Sequence, residues 1–309
     1  MPPLIILAGP TASGKSETAL ALAERLDTEI VSADSMQVYK YFDIGTAKPS
    51  RAIRQKVVHH LVDILEPNEE FNAFEFKTLA LKHVDDMIRR NKIPILSGGT
   101  GLYLKTFAQD LECAAVADPE IKQRVRADIK EKGTRTMHAE LAKVDPRSAA
   151  RIPPTDPLRI ERALSVYLQT GKPLSEFHAN EAPAAARGFD PYFFLLDWDR
   201  DRLYENIERR IDSMLQNGWV DEVKGLLNKK FSRHLKPFQS IGYTQILNYL
   251  DGQISLDRAV DEIKRETRRY AKRQLTWFRK VPNLISIPVK PGYDPAALGD
   301  AILSFVPLE

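Results

Sequence analysis

Leu4-Ile5-Ile6-Leu7-Ala8-Gly9-Pro10-Thr11-Ala12-Ser13-Gly14-Lys15-Ser16 is the stretch on which the architecture turns. Unbroken apolar residues from Leu4 to Ala8 have the pattern of a short strand buried on both faces. Gly9 to Ser16 fits G-x-x-x-x-G-K-[ST], and Ala and Leu then recur at helical spacing to about Leu26. Strand, glycine-rich turn and helix in that order form a phosphate cradle. The glycines let the turn close so that backbone N–H groups converge on anionic oxygens, and the helix N-terminus adds its dipole. Lys15 supplies a full positive charge, and the Ser16 hydroxyl is a candidate ligand for magnesium. The motif announces a polyphosphate but names neither the compound nor the reaction.

Working outward, further apolar segments at Glu29–Ala33, Ile93–Leu96, Tyr192–Asp197 and Leu284–Val289 read as strands separated by helical patterns. The expected fold is α/β: a P-loop NTPase-like parallel sheet flanked by helices, with a mostly helical inserted domain. The insert is expected over 113–189, where the chain turns helical and charged, with Pro-containing breaks at Asp145-Pro146 and Ile152-Pro153-Pro154. The catalytic core is expected over 1–112 and 190–309. Seams rich in Ala and Pro near 113–118 and 182–190 would serve as hinges.

Composition narrows the class. With 43% apolar and 28% charged residues over 309 positions, the chain is globular and long enough for a sizeable core. Cys113 is the single cysteine, which excludes an internal disulfide framework and a multi-cysteine zinc site. Lys plus Arg (45) nearly balances Asp plus Glu (42), so overall charge does not announce a nucleic-acid binder. The Leu4–Ala8 run is too short to span a bilayer. The expected location is the cytoplasm, with no membrane partner, and the expected state is a monomer.

Three further features carry candidate chemistry. Asp34, in S-A-D-S-M-Q-V-Y (32–39), follows a strand and would face the ligand crevice. It reads equally as a functional group, either a base or an indirect metal ligand, and as a helix N-cap. Ser97-Gly98-Gly99-Thr100 ends another strand, so its loop should share a sheet edge with the cradle. From Glu262 to Lys280, Arg265, Arg268, Arg269, Lys272, Arg273, Arg279 and Lys280 fall on one helix side with little acid, against Ile263, Tyr270, Ala271, Leu275, Trp277 and Phe278. Such a stripe suits phosphodiester backbones, or else is a solvated face. Adjacent His59 and His60 cannot share one site on a regular element, so a packing or polar-contact role is expected for them.

The sequence resembles the bacterial tRNA dimethylallyltransferases, enzymes that prenylate an adenine beside the anticodon. The resemblance rests on G-P-T-A-S-G-K-S (9–16), S-A-D-S-M-Q-V-Y (32–39), D-I-G-T-A-K-P (43–49) and G-G-T-G-L-Y (98–103). It continues through D-P-L-R-I-E-R-A-L (156–164), I-G-Y (241–243) and T-R-R-Y-A-K-R-Q-L-T-W-F-R (267–279), in family order along nearly the whole chain. Ser97 departs from the proline that the family often carries there.

This resemblance implies transfer of a dimethylallyl group from dimethylallyl diphosphate to N6 of the adenine immediately 3′ of the anticodon, assisted by Mg²⁺. Gly9, Pro10, Thr11, Ala12, Ser13, Gly14, Lys15 and Ser16 would then hold the diphosphate, although such motifs are commonly labelled nucleotide- or ATP-binding. Asp34 becomes the base, Thr100 reaches the bridging oxygen, and Lys15 and Arg210 stabilise the leaving group; Arg210 is preferred to its neighbour Arg209 by motif alignment alone. Contact with the tRNA anticodon stem-loop is implied for Asp34, Ser35, Met36, Gln37 and Thr100, for Leu158, Arg159, Ile160, Glu161 and Arg162, and for Lys122. It extends to Gln239, Ser240, Ile241, Gly242, Tyr243 and Thr244, and the helix stripe adds Arg268, Arg269 and Arg273. The insert would close over the anticodon stem. Three alternatives stay open from the sequence: a nucleotide-kinase-like phosphotransferase, a P-loop RNA-binding switch, and prenylation of a free adenine nucleotide.

Overall fold

The structure, a computed structural model, describes residues 1–108, 118–177 and 188–308. Cys113 and most of the two expected seams lie outside them. The chain divides into two compact units, Met1–Ala108 with Ala184–Glu309, and Gln109–Pro183.

The first unit opens with β1 (Pro3–Ala8), α1 (Lys15–Arg25), β2 (Ile30–Ser32), α2 (Arg51–Lys56), β3 (His59–His60), α3 (Ala73–Arg89), β4 (Ile95–Gly98) and α4 (Gly101–Ala108). The second unit holds α5 (Pro119–Lys132), α6 (Thr134–Val144), α7 (Pro146–Arg151), α8 (Pro157–Thr170) and α9 (Leu174–Phe177). The chain then returns to the first with β5 (Asp190–Trp198), α10 (Arg200–Gln216), α11 (Trp219–Asn228), α12 (Tyr243–Leu250), α13 (Leu256–Phe278), β6 (Ile285–Val289) and α14 (Pro295–Leu303).

All six strands are parallel, in the order β3-β2-β4-β1-β5-β6. Leu4 to Ala8 are wholly buried, as a central strand covered on both faces requires. Register aligns Ala8 with Gly98 and with Leu195, and Ser32 with Ser97. The loops after β1, β2 and β4 therefore leave the sheet at one carboxyl edge, where open α/β sheets bind ligands.

The two-residue strand β3 has no apolar signature and pairs at the sheet edge with Ile30 and Val31. Its histidines make packing and polar contacts. His60 stacks on His83 with ring centroids 4.0 Å apart, and its Nε2 lies 2.7 Å from Glu29 Oε2. His59 Nδ1 meets the Val57 carbonyl at 2.8 Å. Arg90 clasps Glu29 with both terminal nitrogens, at 2.5 and 3.1 Å. The Arg90 hydrogen bond holds the Glu29 carboxyl down at about 2, against the opposing effect of burial. Its stabilising share is thus full above the ordinary value of 4.5 and is lost as pH falls through about 2. Glu29→Gln should cost roughly 1–2 kcal/mol at pH 7. Thermal melts of variant and wild type should converge in acid; a constant gap from pH 7 to pH 2 would refute the pairing.

The second unit has its own core of Val125, Met137, Leu141, Ile160, Ala163 and Leu164. Asp118-Pro119, Asp145-Pro146 and Asp156-Pro157 start α5, α7 and α8 by one device. Each aspartate accepts a backbone N–H from the first turn, while proline occupies a position whose N–H has no helical partner. Phe189, at the end of the expected insert, stacks on Phe107 at 5.9 Å and belongs to the first unit's core.

Candidate active site

The cradle follows β1 as a turn in which Ala12 and Gly14 take positive φ, +62° and +85°. Gly14 begins α1 without a side-chain cap, which leaves the first-turn amides for an anion. Two aromatic residues buttress it. Trp198 donates from Nε1 to the Ser13 carbonyl at 2.9 Å, and Tyr293 stands edge-on to Trp198 and against Gly14, where a Cβ would overlap its ring.

One cavity of about 350 Å³ opens beside the cradle. Lys15, Ser16, Asp34, Arg210, Tyr270 and Gln274 line it with polar groups, and Ile207, Ile211, Met214, Trp219 and Ile241 form an apolar wall. A second cavity of about 900 Å³ lies against Ser13, Gly14, Lys48, Arg209 and Tyr293. Lys15, Ser16, Arg210, Ala47 and Met214 border both, so the two cations stand between two openings. Arg209 faces only the second, where it donates to Asn206 Oδ1 at 2.5 Å.

Burial pushes the Lys15 ammonium down to about 8, and Arg210 adds to this, while Asp34 and Glu17 pull the other way. Arg210 is likewise lowered by burial, opposed by Asp34 and Glu17. Two desolvated cations side by side are unfavourable without an anion, so the pair suits an anionic ligand. The Tyr270 phenol is raised to about 12, by burial first and then by Asp34.

Asp34 does two things at once. Oδ1 accepts from Met36 N at 2.8 Å and Gln37 N at 3.3 Å, capping the turn after β2, and the carboxylate still lines the cavity. The capping reading and the ligand-facing reading are therefore compatible. Ser35 and Met36 line the same wall. Gln37 does too, but its side chain is committed: Nε2 donates to the Thr46 and Ala47 carbonyls at 3.2 Å each, and Oε1 accepts from Ser32 Oγ at 3.1 Å. Thr100 stands behind the wall, where Oγ1 accepts from Ser35 N at 3.1 Å.

Gln274 escaped the sequence reading. Its Oε1 accepts from Thr11 N at 3.0 Å and its Nε2 donates to the Gly99 carbonyl at 2.8 Å, bracing the cradle to the loop after β4. The Thr11 amide is thus spent on the brace and is not among those open to an anion. A polar residue on the buried face of an amphipathic helix, beside Ala271 and Phe278, was the signal. Glu222 also went unnoticed: Oε2 accepts from Asp43 N and Ile44 N at 2.9 and 2.6 Å, and Oε1 from Gly45 N at 3.3 Å and Tyr243 Oη at 2.6 Å.

The residues assigned to RNA contact divide by exposure. Gln239, Ser240 and Ile241 line the cavity. Tyr243 is buried on Glu222, Gly242 lies under Trp219, and Thr244 Oγ1 donates to the Phe238 carbonyl at 3.0 Å. In the second unit Leu158 is 71% exposed and Arg159 is also exposed. Ile160 is core, and Glu161 is buried and accepts from Arg126 Nε at 2.7 Å. Lys122 and Arg162 are half-buried on α5 and α8.

The α13 stripe carries more acid contact than its sequence suggested. Arg265 and Arg269 both pair with Glu266, Arg268 with Glu208 of α10, Lys264 with Asp212, and Arg279 with Asp197. Glu266 comes from the same helix, three residues from Arg269, Glu208 and Asp212 come from α10, and Asp197 from β5. Lys272 and Arg273 show no acidic partner among the described residues, and the Arg273 guanidinium lies 5.8 Å from the centre of the Tyr270 ring.

A desolvated cationic cradle facing a carboxylate across an apolar wall suits an enzyme that transfers a group from a polyphosphate ester. A family model described as IPP transferase matches residues 37–281. A tRNA dimethylallyltransferase of Geobacter sulfurreducens is 46% identical over 94% of this chain and 93% of its own. One from Alkaliphilus oremlandii is 42% identical over 91% and 90%. Among solved structures, the tRNA isopentenylpyrophosphate transferase of Bacillus halodurans superposes with TM-score 0.70 at 36% identity, over 98% of this chain and 96% of that one. A eukaryotic dimethylallyltransferase acting on tRNA superposes with TM-score 0.82 at 30% identity, over 98% and 78%. The chain belongs to the IPP transferase family, and it is an enzyme.

Proposed function

We propose that this enzyme transfers the dimethylallyl group of dimethylallyl diphosphate to N6 of the adenine immediately 3′ of the anticodon in tRNA. The observation that carries the reading is that Lys15, Arg210 and Asp34 border one cavity together with an apolar wall of Ile207, Ile211, Met214, Trp219 and Ile241. The cations suit a diphosphate, the apolar wall suits an isoprene unit, and the carboxylate suits an amino group that loses a proton.

The chemistry follows. A purine stacked in an anticodon loop must swing out to reach such a pocket. Its N6 lone pair is delocalised into the ring, so the amine becomes acidic only as the new C–N bond forms. N6 attacks the allylic carbon, the C–O bond breaks, its electron pair leaves on the diphosphate, and Asp34 takes the N6 proton. The uncapped amides of α1, Lys15 and Arg210 stabilise the departing charge. Having two openings lets donor and acceptor arrive from different sides of the same cations.

No group of three or more Asp, Glu, His or Cys among the described residues could hold a metal by itself. The exposed Ser16 hydroxyl beside the cradle fits the sparse protein ligation of Mg²⁺, which is held mainly by substrate phosphates and water. When bound, Mg²⁺ would neutralise part of the diphosphate charge. The helical unit contributes tRNA contacts through Leu158 and Arg159. No described helix is long and apolar enough to cross a membrane.

The test is direct. Unmodified tRNA, labelled dimethylallyl diphosphate and Mg²⁺ are incubated with the enzyme, and the digested RNA is analysed for prenyladenosine by mass spectrometry. Label in free AMP alone would select the nucleotide acceptor, and phosphate transfer from ATP without prenyl product would select a kinase. For RNA docking, Lys272→Gln with Arg273→Gln should lower the slope of log affinity against log salt by about 1.5–2. The paired Arg265, Arg268 and Arg269 should contribute less; equal effects from both sets would deny the acid pairs any role.

A further inference from the structure

We infer that Trp219 is the specificity-determining wall that limits the donor's tail to one isoprene unit. The inference rests on the prenyl-transfer reading and adds to it which donors are refused.

Along α10, Ile207, Arg210, Ile211 and Met214 fall on the cavity side, so one helix face carries the diphosphate clamp and the apolar track together. From Arg210 to Met214 is one helical turn, about 6 Å of rise, comparable to a single isoprene unit. Gly218, with φ +91°, then turns the chain, and Trp219 opens α11 against the same cavity.

The indole cannot move aside. Its ring stands edge-on to Tyr243 with centroids 5.7 Å apart. Gly45 and Gly242 press on it from two directions, and a Cβ on either would overlap the ring. Gly45 is held there by Glu222, whose carboxylate accepts the amides of Asp43, Ile44 and Gly45 and the hydroxyl of Tyr243. One carboxylate thus locks both the loop in front of the indole and the ring behind it. Trp219 Nε1 has no hydrogen-bond partner among the described residues.

The space is also small. A cavity of about 350 Å³ lies at the low end of small-molecule sites, roughly 300–1,000 Å³, and must seat a purine as well as the tail. Trp219 lines this smaller cavity and not the larger one, so a second isoprene unit lying in it along the α10 track meets the indole.

Single-turnover prenylation of tRNA is measured with dimethylallyl diphosphate and with geranyl diphosphate, for wild type and for Trp219→Phe, Trp219→Leu and Trp219→Ala. Wild type should prefer the shorter donor by about 100-fold or more, since one methylene alone is worth about 10–200-fold in an apolar pocket. Trp219→Phe should keep that preference. Trp219→Leu and Trp219→Ala should erode it at least tenfold through a gained geranyl rate, in order of the volume removed. If the alanine variant is unstable, the leucine variant gives the same readout. The inference is overturned if wild type uses both donors equally, or if the small variants lose both rates in proportion or keep dimethylallyl transfer with no gain for geranyl. If wild type transfers neither group to tRNA, the prenyl-transfer reading itself fails before any variant is made.

Discussion

Asp34→Asn should lower the single-turnover rate of prenyl transfer by about 10²–10⁴ while changing tRNA affinity only a few-fold. Asparagine is the informative replacement because its Oδ1 can still accept from Met36 N and Gln37 N, the two bonds that cap the turn. The backbone stays in place and only the proton acceptor goes. Asp34→Ala removes both, so any further loss in the alanine variant measures the cap. A single-turnover rate in Asp34→Asn equal to wild type would leave the carboxylate with the cap alone.

The second large effect belongs to Lys15. On the proposed reaction, Lys15→Ala would remove a charge that faces the departing diphosphate in a desolvated setting, where one such group is worth about 10²–10³ in rate. Its pH signature is more telling than its size. With the free-enzyme ammonium at about 8, the charged form dominates below that pH and the neutral form above it. Since kcat/KM reports the free enzyme, kcat/KM for dimethylallyl diphosphate should decline as pH rises through about 8. A diphosphate bound there would raise the Lys15 value, so kcat should hold to higher pH. Lys15→Arg should push the falling limb beyond the accessible range, and an unchanged limb in that variant would assign the titration elsewhere.

Much of this arrangement was legible in the sequence, for reasons that differ by element. The strands at 3–8, 95–98 and 190–198 each carry an apolar run, because a strand buried on both faces needs one, whereas the edge strand at 285–289 alternates, with Ser286 and Pro288 exposed. Edge strand His59–His60 could not be read, since two residues pairing at a sheet margin have no periodicity. The cradle was evident because its chemistry is local: eight consecutive residues make it. Gln274, Glu222 and Trp219 were not, because each acts on loops more than 170 residues away in sequence. Glu222 in the first turn of a helix looks like an ordinary dipole partner, and Trp219 like core. The opposite error of emphasis occurs at Ile160 and Tyr243, where a motif tied to RNA contains residues whose side chains serve packing.

The brace from Gln274 bears on how this catalytic edge can change over time. Gly98 lies against the Ala33 backbone and tolerates no side chain where it stands, and a Cβ at Gly99 would displace the Gln274 amide from its brace. A mutation at Gly99 and one at Gln274 strike the same joint, so their costs should not add. The loop between β1 and α1 and the loop beyond β4 therefore vary as one mechanical part. A lineage seeking a new donor would find fewer obstacles along the apolar track of α10 than at this joint.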